Sequence, residues 1–399
     1  MYGDIAVDIG THYSGVFEWG QGLVPLNGVS ALHSRQLAPD DQPAVEVGPE
    51  MPEEAYLMRS VLVREGAKGR HFLYAGERAA NMVGKVGRLR SWTTPINEGR
   101  LGDEDAFVGM LEKLTQSSTF FRWLKRTPTR RPRVILPVAH NTEQADRRSF
   151  RNLITEDLRA NPILVSQPVA AAIGAGMPID DRQACMVVDI GGGTTDIAVI
   201  CYTEIPDDEP ESIPIGGHAM NARIVEYVRK AHNLEIGFRT AEYIKQELGS
   251  ATRELGRSCS VMGKLEKEAY EQRLRAPRER KAGDESKMLL DLTLRSEEIY
   301  DFCMKDFVEK IATAITDHFV RMGGTGELHY DIQKRGICLT GGSSKLRNLA
   351  PFLKERTGIE INLAPKPLLS VLIGAGKMLR DPKLLDLGKG ALHDTPSIQ

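Results

Sequence analysis

The chain has 399 residues, 41% of them hydrophobic, with 52 basic against 54 acidic side chains and a formal net charge of -2. That length is enough for two domains of ordinary size, each with its own core. The balanced charge excludes a basic nucleic-acid footprint or an acidic tail, and no apolar run approaches the roughly 20 residues of a membrane-spanning helix.

Residues 5–14 read IAVDIGTHYS, an apolar strand ending in Asp8 and then Gly10, Thr11 and small polar residues. An N-terminus that enters a strand so soon leaves no room for a signal peptide. Residues 15–27 return as a strand through glycines. Residues 36–56 carry Pro39, Pro43, Pro49 and Pro52 among acidic side chains, which reads as a surface loop. Strand character resumes at 60–64 and 71–75, followed by a helix over 77–82 and a basic stretch at 85–90. Over 103–114 the apolar residues Phe107, Met110, Leu111 and Leu114 recur at helical spacing, with Glu112 and Lys113 on the solvent side. Phe120, Phe121, Trp123 and Leu124 then sit beside Arg122, Lys125 and Arg126. Two readings of that cluster stand: a helix end packed into its own domain, or an apolar patch on a membrane surface.

Residues 133–138 (RVILPV) form a buried strand, and Thr142 caps a helix over 143–158. A short strand at 163–165 precedes SQPVAAAIGAG, residues 166–176, where Pro168 starts a helix whose small residues allow close packing. Residues 187–200, VVDIGGGTTDIAVI, repeat the strand, tight turn and strand of the N-terminus. Gly191, Gly192 and Gly193 put no side chain between a polyphosphate and their N–H groups. Asp189 and Asp196 flank that turn and could hold a hydrated divalent cation. Taken alone the turn is equally a glycine-rich hairpin. Two such units about one domain apart point instead to a duplicated fold whose two loops face one ligand.

Beyond the second turn lie an acidic hairpin tip at 203–214, a helix over 219–231 and a helix over 240–250 capped by Thr240. Residues 253–287 are strongly charged and read as an exposed helix or a linker. Ser296 caps a helix over 297–319 whose apolar face is Ile299, Phe302, Cys303, Phe307, Ile311 and Ile315. Residues 336–349 (GICLTGGSSKLRNL) run from strand through Gly341 and Gly342 into a helix, an arrangement whose free backbone donors suit a phosphate or adenosine edge. Residues 367–379 (PLLSVLIGAGKML) form a second small-residue helix, the matching half of a hinge with the one after Pro168. The five cysteines, Cys185, Cys201, Cys259, Cys303 and Cys338, are scattered and read as reduced thiols of a cytosolic protein, with Cys185, Cys201 and Cys338 inside strands.

In this order IAVDIGTHYS, SQPVAAAIGAG, VVDIGGGTTDIAVI, ICLTGGSSKL and LLSVLIGAGKML resemble the phosphate, connecting, phosphate, adenosine and connecting segments of the actin, sugar-kinase and heat-shock chaperone ATPase superfamily. FLYAGERAANMVGK, TAEYIKQELGSA and LRSEEIYDF are similar to the bacterial actins of the MreB and MamK branch at places unconnected with phosphate binding. The resemblance implies an α/β actin-like fold of two related domains, each a mixed five-stranded sheet with helices, and a nucleotide in the cleft between them. Domain I would span 1–168 plus 370–399, with a small subdomain at about 30–75. Domain II would span 169–369, with a small charged subdomain at about 250–292.

Carried over residue by residue, the resemblance makes Asp8 and Asp189 the residues that face Mg2+ through water. Gly10, Thr11 and His12 would wrap the β-phosphate of ATP or ADP, and Gly191, Gly192, Gly193 and Thr194 would hold the β- and γ-phosphates. Lys245 and Glu247 would approach the ribose and base, and Gly341, Gly342 and Ser343 would line the purine. Three positions depart from the branch. Gln167 stands where MreB-like proteins carry glutamate, His218 replaces an acid after Gly216-Gly217, and Asn221 replaces an acid one turn later. An amide cannot take a proton at neutral pH, so Gln167 either orients the attacking water or serves as a plain helix-cap residue. The first role implies slow hydrolysis tied to assembly and argues against a sugar kinase. The function implied is that of an ATP-dependent filament-forming cytoskeletal protein for cell shape or intracellular positioning. The alternative is a monomeric chaperone-type or regulatory ATPase. The partners implied are copies of itself and membrane-associated adaptor proteins in the cytoplasm or at the inner face of the membrane, without nucleic acid and without direct membrane binding.

Overall fold

Residues 4–26, 52–66, 68–83, 90–116, 118, 120, 131–140, 142–179, 181–201, 211–265, 289–321 and 326–392 are described by the structure, a computed structural model. Most of the proline-rich stretch 36–56, the aromatic cluster after Phe120, the acidic tip at 203–210 and the charged residues 266–288 lie outside them.

Two mixed sheets repeat one connectivity. In the first, β1 (Ile5–Ile9) pairs antiparallel with β2 (Tyr13–Glu18) and parallel with Arg133–Val138, which pairs parallel with Asn161–Ser166. In the second, β3 (Cys185–Ile190) pairs antiparallel with β4 (Thr195–Ile200) and parallel with β5 (Ile337–Thr340), which pairs parallel with Ile361–Leu363. The second sheet has the five strands the resemblance implies; the first has six, because Leu57–Arg59 joins Gly22–Leu23 in pairing with β2. Every residue of β3 and β4 is buried, the pattern of strands covered on both faces.

Helix α1 (Gln167–Gly174) leaves the first sheet, and α2 (Gly217–His232) and α3 (Phe238–Leu248) belong to the second domain. Against α1 lies α4 (Ser370–Met378), near the end of the chain. The two helices touch backbone to backbone: a Cβ on Gly174 would fall 1.7 Å from Ser370 O, and one on Gly374 would fall 1.8 Å from Ala170 O. The small residues Ala170, Ala171, Ala172 and Ala375 share a buried cluster with Ile135 and Val165 of one sheet and Val187 and Ala198 of the other. The paired helices are therefore the packed joint between domains.

Each domain also carries a three-stranded sheet. Leu62–Glu65, Phe72–Ala75 and Arg90–Thr93 form one. Leu234–Glu235, Ser258–Leu265 and Leu289–Arg295 form the other. Ser258–Leu265 thus corrects the reading of 253–287 as exposed helix or linker. Val261 and Leu265 point inward while Met262 is exposed, so charge and a misplaced methionine hide the period-2 pattern.

Three helix starts also differ. Glu143, not Thr142, precedes the helix Gln144–Asp157, Gly237 precedes α3, which leaves Thr240 in its first turn, and Arg295 precedes the helix expected to be capped by Ser296. That second helix is interrupted by a π turn at Tyr300–Met304 before continuing as Lys305–Arg321. The extra residue shifts the register, so Phe302 leaves the buried face and stacks on Tyr227 with ring centroids 5.1 Å apart.

Candidate functional site

The β1–β2 and β3–β4 turns face one another. Gly10 N donates to Tyr13 O at 3.0 Å, and Gly191 N donates to Thr194 O at 2.9 Å, so the two turns close in the same way. They also touch. A Cβ on Gly192 would fall 2.8 Å from His12 Cβ, and one on Gly193 would fall 2.4 Å from Thr11 Oγ1 and 2.9 Å from Glu98 Cα. Glu98 itself takes a left-handed backbone, φ 49°, to pass this close. The first residues of α2 are tied to the same turn: Gly217 N donates to Gly191 O at 3.0 Å, and His218 N to Gly192 O at 2.8 Å.

A cavity of about 420 Å3 opens between the turns. Asp8, Gly10, Thr11, His12, Gln167, Asp189, Gly191, Gly192, Gly193, Thr194, Lys245, Gly341, Gly342 and Ser343 all line it, bringing fourteen of the expected positions to one place. Gly341 has φ 83°, and a Cβ there would lie 2.4 Å from Asp189 Oδ1, so glycine alone fits. Ser343 Oγ donates to Gly191 O at 2.9 Å, which fixes the third glycine turn to the second.

Glu247 is a correction. Along α3 the cavity receives Glu242, Lys245 and Gln246, spaced as one helical face, and Gly249 just beyond. Glu247 lies off that face, and its carbonyl accepts from Arg347 Nη2 at 2.9 Å. His12 lines the cavity as expected. Its backbone adjoins the second turn, but its ring is engaged across the cleft, with Nδ1 2.8 Å from His218 Nε2 and Nε2 2.7 Å from Glu242 Oε1. Arg59 Nη1 donates to Glu242 Oε2 at 2.8 Å. Arg59 and Glu242 escaped the sequence reading. Glu242 was findable, one helical turn before Lys245, whereas no local pattern marks Arg59.

Burial sets the electrostatics. Desolvation pushes Asp8 up to about 7. Asp189 is also pushed up to about 7, first by burial and then by Asp196 and Asp8, while the Gln167 amide works against the shift by donating to Asp189 Oδ2 at 2.9 Å. Burial lowers Lys245 to about 8, and its ammonium donates to Gly217 O at 3.0 Å. His218 is held down at about 3, by burial and then by the neighbouring His12 and Lys245. Asn221 is fully buried, and neither atom of its amide finds a partner among the described residues.

Two carboxylates that resist ionisation next to glycine turns fit a hard divalent cation, whose charge favours their ionised forms. Among the described residues no group of three or more His, Cys, Asp or Glu could hold a metal ion. Two carboxylates match the magnesium habit of taking few protein ligands and completing its shell with water and phosphate. The two glycine turns, whose N–H groups no side chain of their own covers, fit the phosphates.

Comparison with known proteins agrees with this geometry. The family model described as MreB/Mbl protein matches residues 58–386. The cell shape-determining protein MreB of Escherichia coli strain K12 is 31% identical over 393 residues, covering 98% of this chain and 96% of that protein. The crystal structure of MreB5 of Spiroplasma citri bound to ADP superimposes with a TM-score of 0.72 at 23% identity, covering 95% of this chain and 96% of that one. A MamK double helical filament structure gives a TM-score of 0.63 at 16% identity, with 95% and 99% covered. These two structural likenesses establish the actin-like fold.

Proposed function

Because this chain belongs to the MreB/Mbl family of actin-like cytoskeletal proteins, we propose that it binds ATP with magnesium in the cleft between its domains, hydrolyses it slowly, and assembles into filaments of its own copies. The observation that carries this reading is the contact of Gln167 at the start of α1 with Asp189 at the end of β3, set between two glycine turns of identical closure. Asp8 and Asp189 would hold the cation through water. Magnesium, when bound, neutralises phosphate charge. The backbone N–H groups of Gly10 to His12 and of Gly191 to Thr194 would receive the phosphates, and Lys245 and Gln246 would meet the sugar end. Gln167 sits at the joint helix, so its amide can orient a water but cannot remove its proton. Slow turnover follows, and a polymer that outlives a single encounter is what such a rate permits.

The E. coli relative is named as determining cell shape, and the same role is proposed here, with adaptor proteins at the inner membrane face as further partners. No described helix is long and apolar enough to cross a membrane. The test is light scattering and pelleting of the purified protein with ATP and magnesium, beside a Gln167→Ala variant. Filaments that persist longer in the variant are expected. A protein that turns over ATP yet stays monomeric at every concentration would overturn the filament reading.

A further inference from the structure

Side chains from both domains meet across the cleft beside the cavity, which His12, His218 and Glu242 line. Glu242 on α3 places each carboxylate oxygen against a different donor from domain I: Oε1 against His12 Nε2 at 2.7 Å and Oε2 against Arg59 Nη1 at 2.8 Å. Arg59 turns its Nε to Glu77 Oε2 at 2.8 Å, and Glu77 is met by Arg239, one helical turn before Glu242 on the same helix. A chain of alternating charge thus leaves α3 at Arg239, crosses to Glu77 and Arg59, and returns to α3 at Glu242. Its two halves differ in burial. The side chains of Arg59 and Glu242 are 14% and 8% exposed, those of Arg239 and Glu77 42% and 51%. The inner pair is therefore where breaking the contact is costly, while the outer pair is screened by water.

His12 Nε2 lies 2.7 Å from Glu242 Oε1 and 3.0 Å from Arg59 Nη1, so one ring nitrogen meets both members of the ion pair. The other, Nδ1, lies 2.8 Å from His218 Nε2, and one of these two nitrogens carries the shared proton. Glu242 is held at about 2, since His12 and Arg59 outweigh the burial that opposes its charge. His12 is kept below its ordinary value, chiefly by burial. A neutral imidazole pair thus continues the charged contact inward to Gly192, whose carbonyl accepts from His218 N.

We propose that His12, Arg59, His218 and Glu242 form a latch across the cleft that sets the rate at which bound nucleotide escapes. The proposal rests on the nucleotide reading of the cavity. These are positioning residues: they hold the domains closed over the ligand, and His12 couples the latch to the phosphate turn because its backbone abuts Gly192. Leaving the cleft requires separating Glu242 from both donors at once, which exposes a buried carboxylate and a partly buried guanidinium together.

The test is release of a fluorescent ATP analogue, preloaded with magnesium on the full-length protein and chased with excess ATP in a stopped-flow instrument. Glu242→Gln keeps the shape of the side chain and removes its charge, and should release the analogue about ten-fold faster or more. Arg59→Gln should also speed release. The double variant should release it no faster than the faster single variant, because both break one contact. A merely structural role would multiply the two effects, and that result would overturn the latch. So would release at the wild-type rate in both single variants, with thermal melting confirming that each is folded. A wild-type protein that retains no analogue would overturn the nucleotide reading itself, and the latch with it.

Discussion

Replacing Gly374 by alanine tests the joint between domains. The new Cβ would lie 1.8 Å from Ala170 O, where ordinary contact begins at 3.4 Å, so α1 and α4 would have to part by about 1.6 Å. The obstacle is a helix backbone carbonyl, which has no rotamer to escape into. Overpacking of this kind costs about 1–3 kcal/mol, and the rigid neighbour puts the expected loss at the upper end. For domains of this size that is a fall of roughly 6–12 °C in melting temperature. Gly390→Ala is the internal control. It ends the helix Pro382–Gly390, and nothing lies within 4 Å of its added Cβ. Differential scanning fluorimetry of the three proteins without nucleotide decides the matter. Gly390→Ala should melt at or above wild type, since alanine is the better helix former; equal melting of Gly374→Ala and wild type, or equal losses at both positions, would refute the close-packed joint.

Asp189→Asn should melt higher than wild type at pH 8 without ligand, by up to about 4 kcal/mol, because an acid raised to about 7 costs stability as pH rises from its ordinary value through 7. The same variant should lose the thermal shift that magnesium and ATP give the wild type, and a variant less stable than wild type without ligand would contradict the burial argument. His218, held at about 3 against an ordinary 6.5, refuses a proton that the unfolded chain accepts, so its share of stability is lost as pH falls from 6.5 towards 3. Urea midpoints at pH 7 and pH 5 should therefore separate less in His218→Asn than in wild type, by about 1–2 kcal/mol, with His12, Lys245, Glu242 and Arg59 around position 218 in both. Identical pH dependence in the two proteins would sink that account.

The glycine turns, their aspartates and the two small-residue helices were legible along the chain because each is local chemistry. A strand ending in Asp and opening onto glycine needs no tertiary contact to be recognised. The joint was legible for the same reason, since a run of glycine and alanine has no other way to bury itself than close packing. What the chain order could not supply was which side of a helix meets the cleft. Lys245 and Glu247 stand two residues apart on one predicted helix, and only the packing of α3 turns Lys245 inward and Glu247 away. The Ser258–Leu265 strand was hidden because one of its inward positions is Gly263, packed under Leu234, and one of its outward positions is the exposed Met262, so the apolar period is blurred on both faces. Local chemistry along the chain was enough to mark the turns that can receive phosphate and the actin-like family they belong to. That His12 looks across the cleft and Arg59 meets Glu242 came from the packing of the domains, because a contact between residues 183 positions apart is set by how two domains close, not by either segment alone.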